Sequence, residues 1–226
     1  MKQAILNLTN DIRSTCKQFA RDPNEIHLVA VSKTVSAQIA EKAIDAGIRI
    51  LGESRINDAA EKIQAISRPV SWHLIGHLQS NKVRKAIAMF DLIQSVDSVK
   101  LAEKIQSECE RSGRKIDVLL QVNTSGETSK YGFSPDEVLP AVHSIQKLPA
   151  VQIRGLMTIG ALTEDENKIG ACFRLLKSQF EEIKKIQLPR VKMDYLSMGM
   201  SADYRIAIAE GSNMIRVGRA IFNEND

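Results

Sequence analysis

The chain is poor in the residues that give the simplest answers. Its three cysteines, Cys16, Cys109 and Cys172, lie far apart in helical patterns with no Cys-x-x-Cys spacing, which excludes a disulfide framework and a thiolate metal site. Aromatics are scarce, one Trp, three Tyr and six Phe. None is interleaved with the basic clusters Lys82, Arg84, Lys85 and Arg111, Arg114, Lys115, which therefore read as solvated helix faces, and no nucleic-acid partner is expected. No apolar run reaches the roughly 18 residues of a spanning helix. Asp11 interrupts the first segment before any signal-type core forms, so no membrane partner and a cytoplasmic location are expected. The formal charge of +4 is small and well mixed. His73, His77, Glu53 and Asp91 show no compact ligand spacing, so no metal is expected. No Gly-x-Gly-x-x-Gly follows a strand pattern, which counts against a dinucleotide-binding sheet.

What the chain has is a repeated strand–helix rhythm. Strand patterns fall at His27–Val31, Ile48–Leu51, Trp72–Ile75, Leu92–Val96, Ile116–Asn123, Gln152–Ile159, Tyr195–Met198 and Met214–Val217. Helical periodicity separates them at Ala37–Ala46, Arg55–Ile66, Asn81–Ala88, Ser98–Glu110, Pro135–Ile145, Glu166–Ile186 and Ala202–Glu210. Eight βα units without a change of composition predict an α/β fold of the TIM type, a single (β/α)8 barrel; a doubly wound sheet is the competing arrangement. Such barrels take about 250 residues, and a chain of 226 fits one domain over 1–226. Only Ala220–Asp226 follow the last strand pattern, too few for a full eighth helix. The segment Lys2–Phe19 is amphipathic through Ile5, Leu6, Leu8, Ile12 and Phe19, and Asp22-Pro23 stops it. We expect an N-terminal helix over 1–20 to pack where the closing helix of the 27–222 barrel would otherwise lie.

The strand exits carry the polar residues, as a barrel pocket requires. Lys33 follows the buried-type run His27–Val31 and should reach the mouth. Burial there would disfavour its ammonium and free a nucleophilic amine, and a salt-bridged lysine without chemistry is the plainer alternative. Ser197 and Ser201 flank Met198-Gly199-Met200 at the start of a helical pattern, where hydroxyls and free N–H groups can hold a phosphate; an ordinary N-cap is compatible with that. Gly218 lets the backbone approach the same anion, and barrels frequently place phosphate near their seventh and eighth strands. Arg216, inside the last strand, needs a partner, either a strand-end acid or a ligand ring nitrogen. A lysine, a phosphate cradle and a ring-directed arginine together describe pyridoxal 5'-phosphate, PLP. His73 reads as a hydrogen-bonded structural group, and His77, beyond Gly76, as a residue lining the mouth.

At this point the residues resemble a known family, the pyridoxal phosphate homeostasis proteins, or PLP-binding barrel proteins, related to the N-terminal domain of alanine racemase. The resembling pieces are Val29–Thr34, Gly52-Glu53-Ser54, His73–Lys82, Val122-Asn123 with Lys130–Phe133, Gly155–Ile159, Leu196–Ser201, and Arg216-Val217-Gly218 with Ala220-Ile221-Phe222. The resemblance implies a covalent aldimine of PLP at Lys33, Arg216 facing the pyridine nitrogen, and Ser197 with the Gly218 backbone on the phosphate, Ser201 being a second phosphate candidate. Ser54 stands where the family usually has asparagine, and Asn223 where it usually has glycine. It also implies a carrier acting in PLP and amino-acid homeostasis without substantial turnover, with PLP-dependent apoenzymes or the enzymes of vitamin B6 supply as partners. A permanently charged Arg216 should keep the ring nitrogen unprotonated and weaken the electron sink. No counterpart of the second domain of alanine racemase is expected. Weak amino-acid racemisation is the alternative, a cofactor-free sugar-phosphate enzyme is a third reading, and a monomer is expected.

Overall fold

Side-chain alternation sorts the strands of this protein into an inward and an outward layer. The computed structural model describes residues 1–222; Asn223 lies outside them. The strands are β1 (His27–Val31), β2 (Ile50–Glu53), β3 (Ser71–Leu74), β4 (Leu92–Val96), β5 (Ile116–Gln121), β6 (Val151–Met157), β7 (Val191–Ser197) and β8 (Met214–Val217). They pair in parallel, in chain order, into a closed barrel. Closure is made by β8 on β1, with Val29 opposite Arg216 and Ala30 opposite Val217. Val29, Leu92, Leu119, Met157 and Met214 fill the interior, while the alternate residues Ala30, Leu51, Ile93, Leu120, Leu156 and Ile215 face the helices. This is the period of two expected of strands buried on both faces.

The helices are α1 (Lys2–Gln18), α2 (Ala37–Asp45), α3 (Ile56–Ala65), α4 (Val83–Met89), α5 (Val99–Ser112), α6 (Val138–Ile145), α7 (Glu166–Ile186), α8 (Tyr204–Ala209) and α9 (Arg219–Phe222). Ser36, Ser98 and Asp165 cap the starts of α2, α5 and α7 through their side chains, and Gly113 ends α5 in the left-handed region at φ 65°. At Gly155 the backbone has φ 149° and a Cβ would stand 1.8 Å from the Tyr195 carbonyl oxygen. The register of β6 shifts there against both neighbours, a close approach only glycine allows.

The N-terminal helix takes the expected place: α1 packs on α8 and on the four-residue α9. Its buried face is Ile5, Leu8, Ile12, Thr15 and Cys16. Two assigned apolar positions need correction, since Leu6 is 50% and Phe19 44% exposed. Leu6 falls off the stripe by helical angle, and Phe19 lies past the last turn. Asp11 pins the two elements by accepting from Tyr204 Oη and from Arg205 Nε at 2.9 Å and Nη2 at 2.6 Å. Arg205 first, and Tyr204 as well, hold the Asp11 carboxyl below its ordinary value. A carboxyl depressed on folding adds stability above its unfolded pKa, and that contribution fades as pH falls through the folded one. Asp11→Asn is therefore expected to lower the thermal midpoint by about 2–4 °C at neutral pH, equivalent to about 1 kcal/mol in a chain of this size. The gap to the unmodified protein should close on acidification below the ordinary carboxylate range, as read by calorimetry at several pH values.

Candidate functional site

β1, β7 and β8 bring the reactive set together at one end of the barrel. Ser32 N–H donates to the Gly52 carbonyl at 3.1 Å, so the strand alternation runs on past β1. Lys33 thereby falls in the interior phase with Val29 and Val31. Its side chain is nevertheless exposed, so the burial expected to activate the amine is absent. Lys33 stands at the rim of the mouth, where the barrel wall has ended and water reaches it. Gly218 lies beside it: a Cβ at 218 would stand 3.1 Å from the Val31 carbonyl oxygen and 3.3 Å from Val31 Cβ.

The floor of the mouth is Arg216, only 4% exposed. Burial pulls its guanidinium down to about 10, Asp203 opposing the shift, which leaves it a cation at neutral pH. It forms no salt bridge among the described residues. Its Nη1 donates to Ser197 Oγ at 2.6 Å and its Nη2 to the Thr158 carbonyl at 2.7 Å. Ser197 Oγ donates onward to Gln94 Oε1 at 2.7 Å, and Gln94 Nε2 reaches His73 Nδ1 at 2.9 Å and Met214 Sδ at 3.3 Å. An amide nitrogen only donates, so His73 Nδ1 accepts and its proton sits on Nε2. Burial lowers His73 to about 4, which keeps that ring neutral. The barrel interior thus contains a directed hydrogen-bond chain from Arg216 to His73.

This chain revises the assignment of Ser197. Its hydroxyl is fully buried, and its single proton is spent on Gln94 beneath the arginine. The free donors lie higher. Among the described residues, the N–H groups of Gly199, Ser201, Ala202 and Gly218 have no hydrogen-bond partner, while the Gly199 carbonyl accepts from Arg216 N–H at 2.9 Å. Gly199 itself has φ 94°. α8 begins at Tyr204, two residues later than expected, so the N-cap position is Asp203 and not Ser201; Asp203 makes no side-chain cap hydrogen bond, its Oδ1 accepting instead from Met200 N–H. Ser201 is left partly exposed in the turn.

Two expected pocket residues lie to the other side. Ser54 and His77 border a cleft of about 400 Å³ with Arg55, Asn57, Gln79 and Lys82, outside the β2 and β3 exits. Gly76 permits their contact, since a Cβ there would stand 2.2 Å from the Ser54 carbonyl oxygen. His77 is held by Asp97, with Nδ1 at 2.9 Å from Oδ2, and is stacked on Tyr131 with ring centroids 3.7 Å apart. Behind Lys33, buried Glu53 Oε1 accepts from Ser32 Oγ at 2.6 Å and from Lys62 Nζ at 2.7 Å, and Lys62 Nζ also donates to the Ser32 carbonyl. That triad ties the β1 exit to β2 and α3. Neither Lys62 nor Gln94 stands out in the sequence, each being one polar residue inside a helix or strand pattern.

No group of three or more His, Cys, Asp or Glu side chains among the described residues is placed to hold a metal ion. The three cysteines are free and buried. No described helix is long and apolar enough to cross a membrane.

With this geometry in hand, comparison with known proteins is specific. The profile of the alanine racemase N-terminal domain matches residues 8–226. The pyridoxal phosphate homeostasis protein of Pasteurella multocida is 37% identical over 229 residues, covering 100% of this chain and 98% of the relative. The human protein of the same name is 40% identical over 224 residues, covering 92% of this chain and 81% of the relative. The structure of PipY of Synechococcus elongatus with PLP bound superposes with a TM-score of 0.83 at 36% identity, covering 94% of this chain and 100% of that one.

Proposed function

This chain belongs to the alanine racemase N-terminal domain family, together with the pyridoxal phosphate homeostasis proteins, and from that premise we propose that it is a PLP carrier acting in intracellular PLP and amino-acid homeostasis. One observation carries the reading. An accessible amine at Lys33, a buried cation at Arg216 and the unpaired N–H groups of Gly199, Ser201, Ala202 and Gly218 converge on adjacent strand ends. The residues fit the cofactor, including the point where a Cβ at 218 would crowd the β1 exit. PLP bound elsewhere in the family, in PipY, supports the same reading.

In this reading each group has a stated task. Lys33 would hold the aldehyde covalently through its accessible amine, the cofactor supplying a carbonyl that an amine captures reversibly. Arg216 donates to the pyridine nitrogen, and its permanent charge keeps that nitrogen unprotonated. The N–H groups of Gly199, Ser201 and Gly218, with the Ser201 hydroxyl, receive the phosphate. Ser197 serves the site by holding Arg216. Ser54 and His77 border the cleft on the β2 and β3 side, and we assign neither a cofactor contact. The amine remains open to water and to exchange, which suits reversible loading and delivery. The recipients in this reading are PLP-dependent apoenzymes or the enzymes of vitamin B6 supply.

The test is a titration of PLP against pyridoxal, followed by absorbance. Hydrogen bonds to a charged group are worth about 1.5–3 kcal/mol each, so loss of two should weaken pyridoxal binding by roughly 100-fold or more. Ser201→Ala should cost about tenfold for PLP and nothing for pyridoxal. Equal affinity for the two aldehydes would remove the phosphate cradle from this reading.

A further inference from the structure

The hydrogen-bond chain under Arg216 has two possible polarities, and the residue that selects between them is Gln94. Ser197 owns one proton. If it donates to Gln94 Oε1, both its lone pairs face away from the amide and one receives Arg216 Nη1, as observed at 2.6 Å. If the Gln94 amide were reversed, its nitrogen would donate to Ser197, compete with the guanidinium for the oxygen, and leave the hydroxyl proton pointing at a cation. What fixes the amide is the Met214 thioether: its sulfur lies 3.3 Å from Gln94 Nε2 and can only accept, so the nitrogen faces that side, and the buried His73 ring, with Nδ1 2.9 Å from the same nitrogen, accepts from it.

We infer that Gln94 is a positioning residue for Arg216: anchored on His73, its amide fixes Ser197 as an acceptor beneath the guanidinium and so determines how Arg216 presents its remaining N–H groups to a bound pyridine ring. The inference rests on the proposed PLP binding and adds to it a residue four strands away from β8 that reaches Arg216 only through Ser197. Gln94 is fully buried, as is Ser197, and every polar atom of its side chain has a partner. Neutrality is the second part of its role. A carboxylate at this position would sit one hydroxyl away from Arg216 and offset the charge directed at the ring, whereas with glutamine the acid acting on Arg216, among the described residues, is Asp203.

Two measurements test this, one without cofactor. In the apo protein, ¹⁵N spectra of the histidine rings should find His73 in the Nε2–H tautomer with no titration between pH 5 and 8. In Gln94→Glu, the carboxylate beside Nδ1 favours the imidazolium, and His73 should titrate upward into the neutral range, against the opposing influence of His27 and with that of Asp91. In the second measurement, Gln94→Met, close in volume and unable to hydrogen-bond through an amide, should bind PLP about tenfold more weakly and with a shifted absorption band. Gln94→Glu, which keeps the acceptor for Ser197, should lose less affinity but show the band shift.

An Nδ1–H tautomer in the unmodified protein would overturn the inference, since the amide would then face the other way. So would PLP affinity within twofold of the unmodified protein and an unchanged band in Gln94→Met. Should Gln94→Met not fold, an unmoved His73 titration and an unshifted band in Gln94→Glu would overturn it equally. Failure of the unmodified protein to take up PLP would instead sink the carrier reading, and the histidine spectra would still decide the polarity of the chain.

Discussion

Replacing Lys33 with alanine is expected to abolish the borohydride-fixable PLP adduct while leaving the fold in place. The amine is the accessible one on the interior phase of the barrel, beside Gly218 and above Arg216. Two of the other lysines nearby are otherwise engaged. Lys62 is buried against Glu53 and the Ser32 carbonyl. Lys130 is held by Glu127 at 2.6 Å and by the Gly160 carbonyl at 2.8 Å. Lys82 borders the cleft on the β2 and β3 side. Because Lys33 is exposed and makes no hydrogen bond among the described residues, its loss should change stability by no more than about 0.5 kcal/mol. Reduction of the loaded unmodified protein, digestion and peptide mapping should place the pyridoxyl group on Lys33. A map placing it on Lys82 or Lys130 would transfer the assignment to that residue and remove the argument from barrel phase.

The barrel was legible because its signals are local. Three strands have the expected bounds, β1, β4 and β8, and α7 matches over its whole length. Misplacements occur at element ends: β2 runs to Glu53, since Gly52-Glu53 is still paired with β3, β7 begins at Val191, four residues before the expected Tyr195, and α8 starts late, at Tyr204. At the site, Lys33, Arg216 and Gly218 could be picked out because each is a residue type that conflicts with its neighbours: a lysine at the end of an apolar strand, an arginine inside one, a glycine where the chain must come close. The environment of each could not. Arg216 was assigned an acidic partner or a ring nitrogen, and its partners here are a hydroxyl and a backbone carbonyl. Ser197 lies 103 residues from the glutamine it serves, and Glu53 lies 21 from Ser32. One sequence carries no record of which distant polar groups meet. The barrel brings them together by register, and register is a property of all eight strands at once.

Incubated with L- and D-alanine in deuterated water, the PLP-loaded protein is expected to exchange the α-hydrogen no faster than about tenfold above free PLP, orders of magnitude short of the 1–10³ s⁻¹ typical of enzymes. The argument begins with Arg216. Even lowered to about 10, the guanidinium is charged at the pH of the assay, so a ring nitrogen facing it stays unprotonated and electron density withdrawn from the α-carbon has no full positive charge to settle on. Inversion further requires an acid–base group on each face of that carbon. Lys33, once released, supplies one. The other candidates are committed: His77 pairs with Asp97 and stacks on Tyr131, and Asp203, at the N-cap position of α8, accepts from Met200 N–H. Burial raises the Asp203 carboxyl, which makes it the group to watch, and Asp203→Asn serves as the control that should leave any slow exchange unchanged. Exchange with inversion at enzyme-like rates, lost in Asp203→Asn, would establish the racemase reading in place of the carrier and identify its second base.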